Sequence, residues 1–110
     1  MRVTFKKSPS GFISLQSDDA IGRVLGEFLT TDVAHMPSVV RELIMKGEDE
    51  QVIMDACRMH TKGDIAEITH LYLENLPVFK ASKEALLAYV AQWESFLRAN
   101  GDALELNDAL

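Results

Sequence analysis

The sequence predicts an α+β protein in which an antiparallel sheet of two β-hairpins is packed by two to three helices, in the order β-β-α-α-β-β-α. Three observations support this class. Apolar residues alternate with polar ones near the N-terminus, and strand-like segments also occur in the middle of the chain. Three other segments repeat apolar residues every three or four positions, which is typical of amphipathic helices. Short turns join neighbouring predicted strands, so no parallel crossover is required.

The first hairpin is predicted from the N-terminal alternation. Val3 and Phe5 are separated by polar residues, and a second apolar run covers 12–15. The turn between them has suitable residues, because Pro9 presets φ near -65° and Gly11 takes a positive φ without steric cost. The N-terminal segment is therefore interpreted as two antiparallel strands.

Two helices follow in the predicted order. Ser17-Asp18-Asp19 provides a helix N-terminus, and Pro37 opens a second helix that ends near Lys46-Gly47. Gly22 and Gly26 lie four residues apart in the first helix. Each glycine costs up to about 1 kcal/mol relative to alanine in a helix interior, so this spacing predicts close backbone packing. The apolar stripe of the first helix is Ile21, Val24, Leu25, Phe28 and Leu29.

The central and C-terminal segments complete the pattern. One strand is predicted over 51–60, a turn over 61–64 and a partner strand over 65–73, with a short edge segment at 76–79. The last helix begins after a Ser82 cap and ends at Asn100-Gly101. Its apolar face comprises Leu86, Val90, Trp93 and Leu97, flanked by Tyr89 and Phe96.

Size and composition limit the functional classes. A chain of 110 residues corresponds to one domain, predicted here over 1–101, followed by an acidic C-terminal tail over 102–110 that is expected to fray. The net charge of -6, without a Lys/Arg cluster, argues against direct nucleic-acid binding. No apolar run has the length of a membrane span, which predicts a cytoplasmic protein without membrane contact.

Histidines and the single cysteine suggest one chemical alternative. His60 and His70 fall on neighbouring predicted strands, where Asp55 or Glu67 could complete a metal or acid-base site. Their spacing matches no HxxxH, HExxH or CxxC motif, so polar strand positions are the simpler interpretation. Cys57 lies in mid-strand, which favours a buried thiol over a nucleophile. A small metal-binding or hydrolytic protein using His60, His70 and Asp55 is retained as an alternative.

Acidic residues are concentrated around the central hairpin. Between residues 42 and 67 there are seven acidic residues against three basic ones. Either a solvated face or an acidic docking surface would produce this excess, since complementary potentials steer association. The candidate partner-binding residues are Glu48, Asp49, Glu50, Asp55, Asp64 and Glu67.

The layout of the chain resembles small bacterial immunity proteins of contact-dependent growth inhibition and related polymorphic toxin systems. The resemblance is carried by the Ser-Asp-Asp helix start with IGRVLGEFLT, the central hairpin, and the C-terminal FKASKEALLAYVAQWESFLRA. In the last segment the matching positions are Phe79, Ser82, Leu86, Leu87, Trp93, Phe96 and Leu97.

The resemblance implies a non-enzymatic protein without a cofactor, which binds and neutralises one cognate toxin domain, often a nuclease. Such a partner presents a basic surface to phosphates, and an acidic protein can cover it. The chain is then expected to be a monomer or a weak homodimer. A homodimeric regulatory domain that pairs through an exposed sheet edge is the other alternative.

Overall fold

The structure, a computed structural model, describes residues 1–108. It confirms the α+β class, with three α-helices, one π-helical segment and two antiparallel sheets. In chain order the elements are β1 (Arg2–Lys7), β2 (Ile13–Ser17), α1 (Ala20–Glu27), the π-helical segment (Phe28–Val33), α2 (Pro37–Lys46), β3 (Glu50–Ile53), β4 (Cys57–Lys62), β5 (Ile65–His70), β6 (Phe79–Ser82), α3 (Lys83–Arg98) and β7 (Ala103–Asn107).

The three-stranded sheet has the order β2-β1-β7 and corrects the prediction for the C-terminal tail. Residues 103–107 do not fray, because they pair antiparallel with β1 in a register that places Leu106 opposite Val3. Leu106 is only 1% exposed, so burial of this apolar side chain accompanies the pairing. The prediction of fraying rested on the acids Asp102, Glu105 and Asp108, which lie at exposed positions and so do not oppose the pairing. Residues 109 and 110 lie outside the described residues.

The four-stranded sheet has the order β3-β4-β5-β6 and corrects the central hairpin. The strand predicted over 51–60 is two antiparallel strands, separated by a tight turn in which the Met54 amide donates to the Cys57 carbonyl at 2.9 Å. The predicted edge segment at 76–79 gives way to β6, which begins at Phe79. The two predicted hairpins therefore lie in separate sheets and not in one.

The helices follow the predicted order. The Asp19 carboxylate caps α1 by accepting from the Gly22 amide at 2.8 Å, and Ser82 caps α3 by accepting from the Ala85 amide at 3.0 Å. A Cβ on Gly22 would lie 2.5 Å from Ser17 Oγ, and one on Gly26 would overlap Leu15. Both glycines thus allow α1 to lie close to β2, as their spacing predicts. Between α1 and α2 the chain stays helical up to Val33, in the π-helical segment.

One apolar core joins the two sheets. Helices α1 and α3 contact strands of both sheets, and buried residues of all these elements form a single cluster. Trp93 lies near its centre, with its ring 5.1 Å from that of Phe5 and its indole N–H donating to the Ala34 carbonyl at 2.9 Å. Within residues 1–108, no helix is both long and apolar enough to cross a membrane.

Candidate protein-docking surface

The four-stranded sheet has one covered face and one open face. On β4, Cys57, Met59 and Thr61 point toward the helices and are buried. Alternation along the strand places Arg58, His60 and Lys62 on the other face. The register adds side chains from the neighbouring strands, because Gln51 and Glu67 both lie opposite His60. The open face therefore carries charges of both signs.

Four predicted partner-binding residues converge at one end of this sheet. Glu48 and Asp49 lie in the loop before β3, Glu50 is the first residue of β3, and Asp64 lies in the turn between β4 and β5. Glu48, Asp49 and Asp64 line one shallow groove of about 630 Å³. Met45, which is 61% exposed, lines the same groove. We call these four acidic residues the acidic end. All four are exposed, so their carboxylates are accessible to a partner.

A lysine that the sequence analysis did not single out joins the two segments of the acidic end. The Lys83 amide donates to the Asp64 carbonyl at 2.7 Å, and its ammonium donates to the Gly47 carbonyl at 2.6 Å. Lys83 is the first residue of α3, so the helix connects directly to both loops. In the sequence, Lys83 is marked only by its place directly after the Ser82 cap. Lysines are common at such positions, so the sequence alone does not indicate this role.

His60 connects the acidic loop to the open sheet face. Asp49 has a φ of 51°, and its carboxylate accepts a hydrogen bond from His60 Nε2 at 2.9 Å. The other ring nitrogen, Nδ1, lies 3.7 Å from Glu67 Oε1. The hydrogen bond from His60, followed by the charge of Lys62, lowers the pKa of Asp49 below its ordinary value. The contact therefore fixes the Asp49 carboxylate in position beside the groove.

The remaining two predicted residues lie elsewhere. Glu67 is on the open face, in the middle of β5. Asp55 is in the turn before β4, at the opposite end of the strand from Asp64. Six residues of strand span about 17 Å, so one compact acidic cluster does not include Asp55. The structure brings together four of the six candidates, and Glu67 lies on the adjoining open face, where His60 separates it from Asp49.

The alternative site of His60, His70 and Asp55 is not assembled. The ring of His60 is on the open face, whereas His70 pairs with the buried Cys57 and points to the opposite side of the sheet. Nδ1 of His70 accepts hydrogen bonds from the amides of Tyr72 and Leu73 at 3.2 and 3.0 Å. Within residues 1–108, no three His, Cys, Asp or Glu side chains are arranged to hold a metal ion.

A buried polar contact lies beneath the other end of β4. Asp32, in the π-helical segment, is 7% exposed and accepts from the Ala56 amide through Oδ1 at 2.8 Å. Burial, followed by the neighbouring Asp32 carboxylate, raises the pKa of the Cys57 thiol. A nucleophile requires the opposite shift, so Cys57 is a core thiol, as the sequence predicts.

The acidic end presents accessible carboxylates next to an exposed methionine. Such an arrangement attracts a cationic protein surface and offers a small apolar contact at its centre. Comparisons of the chain with protein-family models, with curated proteins and with solved structures find no match.

Proposed function

We propose that this chain is an immunity-type protein, acting in the cytoplasm, that binds a toxin domain through the acidic end and blocks its basic surface. The observation that carries the proposal is that Glu48, Asp49 and Asp64, from two separate segments, line one groove with the exposed Met45. The toxin class comes from the resemblance in sequence layout. The protein itself has a binding role in this proposal and catalyses no reaction.

The electrostatics of the acidic end support rapid association with a basic partner. Complementary charges raise the association rate constant far above the values of neutral pairs, and added salt removes this gain. Toxin domains that act on nucleic acid need a basic surface for phosphates. An acidic protein that reaches this surface first competes directly with the nucleic acid.

The attachment of the acidic end to the fold supports the same role. Lys83 holds both loops from α3, and His60 holds the Asp49 carboxylate from β4. Groups that are already held in the bound geometry lose less conformational entropy on association. The acidic loop is therefore a suitable docking element although it lies outside the regular strands.

The test is a charge-neutral variant of the loop. The triple variant Glu48→Gln, Asp49→Asn, Glu50→Gln is mixed with the purified cognate toxin domain, and association is followed by stopped flow at several salt concentrations. We expect the association rate constant at low salt to fall about tenfold and its salt dependence to weaken.

A matched control removes three acids elsewhere. The variant Glu74→Gln, Asp102→Asn, Glu105→Gln has the same net charge but retains the acidic end, and we expect it to associate within about twofold of the wild type. Equal rates and equal salt dependence for wild type, loop variant and control would show that the partner docks elsewhere.

A further inference from the structure

Strand β3 is an edge of the four-stranded sheet and begins within the acidic end. In the described part of the chain it pairs with β4 alone. No side-chain hydrogen bond from residues 1–108 reaches the backbone of Gln51 or Ile53. An unpaired edge of this kind presents donors and acceptors to any extended chain that approaches it.

The register shows which backbone groups of β3 are free. The Met54 amide bonds to the Cys57 carbonyl, so this pair is of the hydrogen-bonded kind. Antiparallel pairs alternate, and Val52 opposite Met59 is then the next hydrogen-bonded pair. Gln51 and Ile53 consequently direct their N–H and C=O groups away from β4. Two donors and two acceptors point outward along the free edge.

The side chains at this edge define the chemistry of an added strand. Ile53 is 68% exposed on the open face, and Glu50 precedes Gln51 at the other end of the strand. A complementary segment would carry Lys or Arg near Glu50 and an apolar residue near Ile53. A basic partner that is attracted by the acidic end would therefore also suit the side chains along this edge.

Other sheet edges offer less. Met1 and Asp108 line the same groove as β6 and lie beside that strand. On β7, the Asn107 carbonyl already accepts a hydrogen bond from the Tyr89 hydroxyl at 2.8 Å. Strand β2 has polar exposed side chains at Ser14 and Gln16, and its apolar residues are half-buried. Among the four edge strands of the described sheets, β3 alone combines free backbone groups with a largely exposed apolar side chain and adjacent carboxylates.

We propose that β3 accepts an extended segment of the partner protein as a fifth strand of this sheet. The segment bonds to the outward groups of Gln51 and Ile53, places a basic side chain beside Glu50 and packs an apolar side chain on Ile53. Main-chain bonds provide the affinity in such strand addition, and the side chains provide the choice of partner. The inference rests on the proposed function for the identity of the partner, the toxin domain.

Amide hydrogen exchange of the wild-type protein tests the proposal. In the free protein, the amides of Gln51 and Ile53 are expected to exchange fast and that of Val52 slowly. In the complex with the toxin domain, the Gln51 and Ile53 amides should slow by about tenfold or more. If the complex forms and these two amides still exchange as in the free protein, strand addition at β3 is wrong.

A backbone variant provides a second measurement. Gln51→Pro removes an outward donor at an edge position where proline is tolerated, whereas Gln51→Ala changes only the side chain. We expect the proline variant to weaken binding about tenfold and the alanine variant to bind like the wild type, with circular dichroism confirming that both fold. Equal weakening by both variants would assign the effect to the side chain and overturn the proposal.

Two outcomes separate this inference from the proposed function. If neutralising the acidic loop leaves toxin association unchanged but Gln51 and Ile53 are still protected in the complex, the acidic docking fails and strand addition stands. If the two amides become protected with rising concentration of this protein alone, and sedimentation shows a dimer, the occupant is a second copy and the proposal is overturned.

Discussion

The Asp49 carboxylate accepts a hydrogen bond from His60 Nε2 at 2.9 Å, and this contact ties the acidic loop to β4. Asp49 adopts a φ of 51°, a conformation that few residues other than glycine and asparagine or aspartate occupy. The hydrogen bond therefore supports this backbone conformation between the exposed residues Glu48 and Glu50. The position of the Asp49 carboxylate within the acidic end therefore depends on this contact.

Replacing His60 should change the titration of Asp49. In His60→Ala the largest cause of the lowered pKa is lost, and the pKa of Asp49 should rise toward 3.8. Since the folded pKa is depressed, the contact stabilises the wild type above pH 3.8 and this stabilisation is lost as the pH falls through the folded pKa. Carbon-detected NMR titration of the carboxyl group measures the shift. His35→Ala, at an exposed position between two helices, is the control, and an unchanged Asp49 titration in His60→Ala would contradict the assignment.

The sequence predicted the elements whose signals are local. The helix start at Ser17-Asp18-Asp19, the Ser82 cap, the proline at the start of α2 and the glycine pair of α1 all act within one helix or against the adjacent strand. Within the first of these, the capping oxygen belongs to Asp19 and not to the serine. The errors concern contacts between distant residues. Apolar residues on both sides of Asp55 hide the turn at Asp55-Ala56, because a single strand through 51–60 fits them equally well. Nothing near residue 103 indicates that β1 lies beside it.

The candidate site also combines a signal that is local in sequence with contacts between distant residues. Clustering of Glu48, Asp49 and Glu50 is visible in the sequence, whereas their approach to Asp64 depends on the pairing of β3 with β4 and of β4 with β5. Asp55 was grouped with them because the predicted strand did not turn there. The roles of Lys83 and His60 depend on contacts over 36 and 11 positions, which a local pattern cannot specify.

The contact between Asp32 and the Ala56 amide should be important for stability. Asp32→Ala leaves a buried N–H without a partner and is expected to cost about 1–3 kcal/mol of unfolding free energy. Asp32→Asn retains an oxygen acceptor at the same place and should cost less. Urea denaturation of both variants measures the difference. Asp55→Ala, at the exposed residue just before Ala56, is the control. An equal loss of unfolding free energy for Asp55→Ala and Asp32→Ala would contradict the role of this hydrogen bond.

The Cys57 thiol should be unreactive in the folded protein. Burial and the Asp32 carboxylate both raise its pKa, so almost no thiolate is present at pH 8. We expect iodoacetamide to label Cys57 only as fast as the protein opens, and to label it rapidly in denaturant. Mass spectrometry over time follows the reaction. Labelling of the native protein at the rate of a free thiol would show that the side chain is accessible.

Strand β7 should contribute to folding stability. Leu106→Ala removes a side chain that is 1% exposed and packs in the common core, which is expected to cost about 2–5 kcal/mol. Glu105→Gln, at the neighbouring exposed position, should change the unfolding free energy by less than about 1 kcal/mol. Chemical denaturation compares the two variants. If Leu106→Ala lowers the unfolding free energy by less than about 1 kcal/mol, the C-terminal segment separates readily from β1, in agreement with the fraying that the sequence predicts.

The close approach of α1 to β2 can be tested by a double-mutant cycle between Gly26 and Leu15. Gly26→Ala gains up to about 1 kcal/mol of helix propensity, but its Cβ overlaps Leu15, and overpacking of this kind typically costs about 1–3 kcal/mol. Leu15→Ala removes the overlapping atoms. In the double variant the alanine at residue 26 should therefore be neutral or stabilising, which gives a coupling energy of about 1 kcal/mol or more.

A second cycle on the same helix serves as the control. A Cβ on Gly22 would meet Ser17 and Val3 and would not meet Leu15. The effects of Gly22→Ala and Leu15→Ala should consequently add to within about 0.5 kcal/mol. If the Gly26 and Leu15 effects also add, the side chain of Leu15 is not what excludes a Cβ at residue 26. In that case the close approach of α1 to β2 at residue 26 does not depend on the missing Cβ of Gly26.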